Sequence, residues 1–149
     1  MLLQTLNDGE CRELLIRTGF GRIGCAQENQ PYVIPVYFAC QGEHLYGFST
    51  VGQKIAWMRT NPLVCIEADE IIAPDNWSCV LAFGVYEEMP DILKYSDLRQ
   101  FGHDLVDKRK LWWEPAIASA QTRPDEIRTA PILYRIKINK MTGHRAVPN

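Results

Sequence analysis

Between Phe20 and Phe48 this chain reads as three strands joined by turns too short for anything but antiparallel neighbours. Phe20 to Ala26 and Tyr32 to Cys40 flank the turn Glu28-Asn29-Gln30-Pro31, and His44 to Phe48 returns after Gln41-Gly42. In the middle run a side-chain period of two puts Tyr32, Ile34, Val36 and Phe38 on one face. A parallel crossover needs a dozen or more residues, so these connections argue against a doubly wound sheet. Pro35 sits inside its run and cannot donate to a ladder. That implies a sheet edge, a bulge or a place where the backbone meets a ligand.

The flanking segments add helices and further strands. Asn7 or Asp8 can cap a first helix, with Cys11, Leu14, Leu15 and Thr18 recurring at i, i+3, i+4 and i+7 before Gly19 ends it. A short helix from Gly52 to Thr60 stops at Asn61-Pro62, because proline disfavours helix in the residue before it. Leu63 to Ala68 and Trp77 to Glu87 read as strands, the second apolar on both faces and therefore central. Asp91 opens a helix with Leu98, Phe101 and Leu105 on one side, residues 111–128 are irregular, and Ile132 to Ile138 is the last strand. Six strands with short turns predict a mainly β fold, a six-stranded antiparallel Greek-key-type barrel with helices outside it. The alternative is an open sheet with helices on one face. Residues 1–149 are read as one domain.

Composition narrows the function classes. A net charge of −2 and no basic run give no footprint for nucleic acid. The five cysteines, Cys11, Cys25, Cys40, Cys65 and Cys79, are odd in number, dispersed and without a C-x-x-C pair. With no signal peptide and no apolar span of membrane length, this predicts a reduced, cytoplasmic protein that does not enter a membrane.

The segment Leu45-Tyr46-Gly47-Phe48-Ser49-Thr50-Val51-Gly52-Gln53-Lys54 carries the chemistry. A strand ends in two hydroxyls and a glycine, and a helix then opens on a lysine. Hydroxyls, free backbone N–H groups and one ammonium gather at the positive end of a helix dipole, which suits a phosphate.

Other signals fail on context. Gly19-Phe20-Gly21-Arg22-Ile23-Gly24 matches G-x-G-x-x-G, but a helix precedes it and a strand follows, the reverse of the dinucleotide fingerprint. His44, His103 and His144 lack metal-ligand spacing, so no metal is expected. No nucleophile elbow is present, and no catalytic side chain stands out. Trp112 and Trp113, adjacent in the irregular segment, are read as cover for a pocket or contact with a partner subunit.

Gly21 to Gly24, Pro31 to Phe38, Leu45 to Lys54 and Asn61 to Cys65 follow one another in an order and spacing that resembles the FMN-binding split-barrel superfamily. That superfamily includes pyridoxamine 5′-phosphate oxidases and nitroimidazole-resistance-type flavoproteins. The strand from Trp77 to Glu88 with Gly84, and the closing Tyr134-Arg135-Ile136 and Met141-Thr142-Gly143-His144-Arg145, are more similar to the second group.

The resemblance implies a homodimer with one FMN per subunit in the dimer cleft. Pro35, Val36, Tyr37 and Phe38 would meet the flavin ring, and Ser49, Thr50, Gln53 and Lys54 the phosphate. Cys79 stands nearest the position of an oxidase glutamine that reaches FMN from the other subunit. It also implies an FMN-dependent oxidoreductase passing electrons from a reduced nicotinamide to a small acceptor such as a nitroaromatic, a quinone or oxygen. Two departures matter. Phe48 occupies the place of a histidine in the resistance-type proteins, and the oxidases' C-terminal R-x-P-type segment is missing, which argues against pyridoxamine phosphate oxidation. Alternatives within the resemblance are a flavin-binding carrier or sensor without turnover, a haem-binding split barrel using a histidine, and a deazaflavin user.

Overall fold

Short connections dictate most of the topology. The computed structural model of the chain describes residues 1–107 and 132–149. Its elements are β1 (Leu2–Thr5), α1 (Asp8–Thr18), β2 (Phe20–Gln27), β3 (Gln30–Tyr37), β4 (Ala39–Gln41), β5 (His44–Ser49), α2 (Gln53–Thr60), β6 (Leu63–Ala73), β7 (Asn76–Glu88), α3 (Ser96–Asp107) and β8 (Ile132–Val147). All pairings are antiparallel, in the order β3-β2-β6-β7-β8-β5-β4, with β1 added to the far end of β8. β3 and β4 stand at opposite ends of that order, yet only Phe38 separates them in sequence. The sheet must therefore curl until its ends meet. Phe38 marks the corner, its N–H donating to the Gly19 carbonyl at 3.0 Å. The result is a split barrel with flanking helices.

The core lies inside that curl. Ile23 of β2, Val36 of β3, Ile66 of β6, Ala82 of β7 and Ile136 of β8 face inward, with Leu14 and Leu15 of α1 and Ile55 and Met58 of α2. Burying each of the larger side chains contributes about 1.5–3 kcal/mol. A smaller apolar layer beneath α3 gathers Ala39, Tyr46, Met89 and Leu133.

Several expectations hold in detail. Asn7 caps α1 through a reciprocal capping box with Glu10, and Gly19 closes it with φ 61°, a left-handed conformation that glycine adopts without a Cβ clash. β7 is the central strand, and β3 is an edge strand, one of the settings Pro35 allows. Gly21 and Gly24 lie in β2, so G-x-G-x-x-G opens no helix.

Other boundaries need correction. The sheet has eight strands rather than six, because β1 is added and the second predicted strand divides at Phe38. β6 runs on to Ala73 because Asp69 and Glu70 pair with Cys79 and Ser78 at the surface, where polarity does not end a strand. β8 continues to Val147, absorbing a register shift opposite Phe83 and Gly84. Ile92 stays extended, with φ −131°, so α3 starts at Ser96 after a 3₁₀ turn over Leu93–Tyr95 rather than at Asp91. Among the described residues no helix is long and apolar enough to cross a membrane.

Candidate functional site at the start of helix α2

β5 pairs with β4 as far as Tyr46 and with β8 up to the pair Ser49↔Ile132, and this strand end delivers the predicted hydroxyls. Ser49 is half-buried and donates its hydroxyl to the Thr50 carbonyl at 3.0 Å, while Thr50 is exposed. Gly52 caps α2 in an extended conformation with no side-chain hydrogen bond. The first bond of the helix runs from the Ala56 N–H to the Gly52 carbonyl, so the N–H groups of Gln53, Lys54 and Ile55 have no intrahelical acceptor. Gln53 is exposed at this end.

The seating of α2 is firm. Ile55 and Met58 are fully buried, the Trp57 ring meets Tyr32 of β3 at 5.5 Å, and the Asn61 side-chain amide donates to the Ala26 carbonyl at 3.0 Å. At the other end of the helix Arg59 grips Glu88 with two bonds of 2.8 Å, and the Tyr86 hydroxyl donates to the same carboxylate at 3.1 Å. Its position on a seated helix half-buries Lys54. Burial holds its pKa below the ordinary lysine value, and the one group that raises it is the Cys25 thiol of β2. Among the described residues no carboxylate pairs with it. An ammonium drawn partly out of water without a counter-charge favours an anionic ligand.

Cys25 is cross-strand from Tyr32, and Tyr32 and Pro35 are three residues apart on β3, about 10 Å along the strand. A family model described as pyridoxamine 5′-phosphate oxidase matches residues 7–145. The chain belongs to the pyridoxamine 5′-phosphate oxidase family. An uncharacterized protein of Rhizobium meliloti is 32% identical over 148 residues, covering 98% of this chain and 97% of its own. The crystal structure of a FAD-binding protein from Mesorhizobium loti is similar at 37% identity, over 99% of this chain and 100% of that one, with a TM-score of 0.81. A proposed 5-nitroimidazole antibiotic resistance protein from Bacteroides thetaiotaomicron shares the fold at 16% identity, over 97% and 89% of the two chains, with a TM-score of 0.67.

In this member of the pyridoxamine 5′-phosphate oxidase family the predicted residues divide into groups. Ser49, Thr50, Gln53 and Lys54 gather at one strand-to-helix junction. On β3, Pro35 and Tyr37 face outward, whereas the side chains of Val36 and Phe38 are 5% and 1% exposed in the core. Only the backbone of those two can meet a ligand. Cys79 is remote from this junction in the same chain, on the outer sheet face between Asp69 and His144, with its thiol pKa raised by burial. Trp112 and Trp113 lie outside the described residues.

Sequence reasoning overlooked two ring contacts of these elements. Trp57 and Tyr32 brace α2 on β3, and a helical position facing a strand with aromatic residues was their only trace. His103 of α3 meets Phe48 edge-on at 6.0 Å, and nothing in the local sequence foretells that contact.

Proposed function

We propose that this chain binds a flavin nucleotide, FMN in the first instance, and works as a flavin-dependent oxidoreductase. Lys54 carries the reading: it is half-buried, lacks an anionic partner among the described residues and adjoins an uncapped helix start. These groups fit a phosphate. Lys54 would supply charge, the N–H groups of α2 and the Ser49 and Thr50 hydroxyls would donate, and Gln53 would reach the same group. Pro35 and Tyr37, with the backbone of Val36 and Phe38, would line the ring. When bound, the flavin supplies the redox chemistry, with a reduced nicotinamide as donor and a nitroaromatic, quinone or oxygen as acceptor. The residues of the chain bind it, orient it and keep water from one of its sides. The FAD-binding relative from Mesorhizobium loti supports a flavin and makes FAD the competing nucleotide.

A second copy of the chain is the proposed partner. Val33, Leu63 and Phe83, 66%, 68% and 40% exposed, surround a shallow apolar hollow of about 330 Å³ that Cys25 and Tyr32 also line. An apolar face of this kind is what a homodimer covers, and it would carry Cys79 toward the other subunit's flavin. The free thiols agree with a cytoplasmic setting.

An absorption spectrum of the purified protein tests the reading, with mass analysis of the released cofactor to separate FMN from FAD. A flavin spectrum bleached by NADH or NADPH and restored over many cycles by a nitroaromatic or quinone is expected. Colourless protein that takes up no added flavin sinks the proposal. A Soret band points to haem, and a flavin that never turns over leaves a carrier or sensor.

A further inference from the structure

Two buried tyrosines meet inside the barrel, and only one has its hydroxyl answered. The Tyr86 and Tyr134 rings lie 5.5 Å apart, and the Tyr86 hydroxyl donates to Glu88 at 3.1 Å. Tyr134 is 2% exposed, and among the described residues its hydroxyl has no hydrogen-bond partner. Buried polar groups are nearly always paired, so an orphaned hydroxyl points to a partner that arrives later. Its direction is given by Gly47, the cross-strand neighbour on β5. A Cβ on Gly47 would lie 2.7 Å from the hydroxyl oxygen and 2.8 Å from Cζ, so the tip of the ring rests on the bare glycine.

Gly47 is the first residue of β5 beyond its pairing with β4, which ends at Ala39↔Tyr46, just after the chain has turned through Phe38 from β3. Side chains alternate along a strand, so Gly47 and Ser49 present one face of β5, with Cβ positions about 7 Å apart. The hydroxyl oxygen itself is therefore within about 10 Å of the Ser49 Cβ, where the chain enters α2. That face looks toward α2 and β3, because Tyr134 shares its core cluster with Ile55 and Met58 of α2 and with Val36 and Phe38 of β3.

We propose that Tyr134 is a ligand-binding residue of the α2 site, its hydroxyl donating across Gly47 to the polyol chain that links a flavin ring to the phosphate held by Lys54. This role rests on the reading of the ligand as a flavin nucleotide. A phosphate at Ser49 and α2, with a ring against Pro35 and Tyr37, leaves the polyol to cross the corner between β5 and β3, where Gly47 stands. Burial pushes the phenol pKa up, so the hydroxyl stays protonated and acts as a donor.

Tyr134→Phe removes the hydroxyl alone. In fluorescence titrations it should weaken FMN roughly three- to tenfold, the range of a neutral hydrogen bond, and riboflavin by the same factor, since both carry the polyol. The melting temperature of the flavin-free variant should not fall, because no bond is lost there. Unchanged FMN affinity overturns the proposal. A loss confined to FMN does so too, by placing the contact on the phosphate. A lower melting temperature without flavin also overturns it, because the hydroxyl then already has a partner in the empty protein. If Lys54→Ala weakens FMN and Tyr134→Phe does not, this inference alone fails. If the unaltered protein binds neither flavin, the flavin reading fails with it.

Discussion

Lys54 is bound to conflict with itself. The helix that positions it also withdraws it from water, and burial pulls its pKa down. A base whose folded pKa is lowered destabilises the fold at every pH below that pKa. The penalty fades as pH rises toward the unfolded value. Lys54→Met should therefore raise the melting temperature of the flavin-free protein at neutral pH, with the difference narrowing in alkali. The same position should resist replacement when flavin is present. Lys54→Ala is expected to weaken FMN by about 1–3 kcal/mol in a fluorescence titration, the scale of a hydrogen bond to a charged group. Unchanged affinity would move the phosphate elsewhere. Stability and binding pull this residue in opposite directions.

At the scale of elements, α2 depends on its ties at both ends. Arg59 and Tyr86 hydrogen-bond to Glu88 and hold its carboxyl below the usual range against the opposing effect of burial. A carboxylate with a lowered folded pKa contributes stability above its unfolded pKa and loses it as pH falls through the folded one. Denaturant midpoints taken from neutral into acid should show this loss, and Glu88→Gln should flatten it. Identical acid limbs in the two proteins would mean the tie contributes nothing. Periodicity made the elements legible where one face is buried: β2, β3, β5 and β7, and the capped α1. It hid them where pairing rather than burial decides, as in β1, whose Leu2–Thr5 side chains are all exposed, and in the polar second half of β8. The phosphate cradle was legible because it is local, a strand end followed by a helix start. The Phe48–His103 contact spans 55 residues, and chain order carries no trace of it.

For the whole molecule, the apolar outer face around Leu63 and Phe83 makes assembly the property to test. Phe83→Glu would set like charges against each other across a two-fold axis. It should convert a dimer to a monomer in light scattering while the monomer keeps its far-UV spectrum. A protein that is monomeric before the change would remove the dimer from the account. β3, the outermost strand on that side, adds a constraint of a different kind. Its turn at Glu28 and Asn29 has φ 49° and 64°, and the pair Gln27↔Gln30 closes a two-residue hairpin. In such a hairpin alternate residues turn their backbone groups away from the partner strand, here 31, 33, 35 and 37. Two of those are prolines. Between the prolines, the outer edge of β3 thus presents the carbonyls of Val33 and Pro35 but the N–H group of Val33 alone. Backbone recognition along this edge selects by hydrogen-bond polarity before shape: a molecule laid against it must bring more donors than acceptors to the meeting.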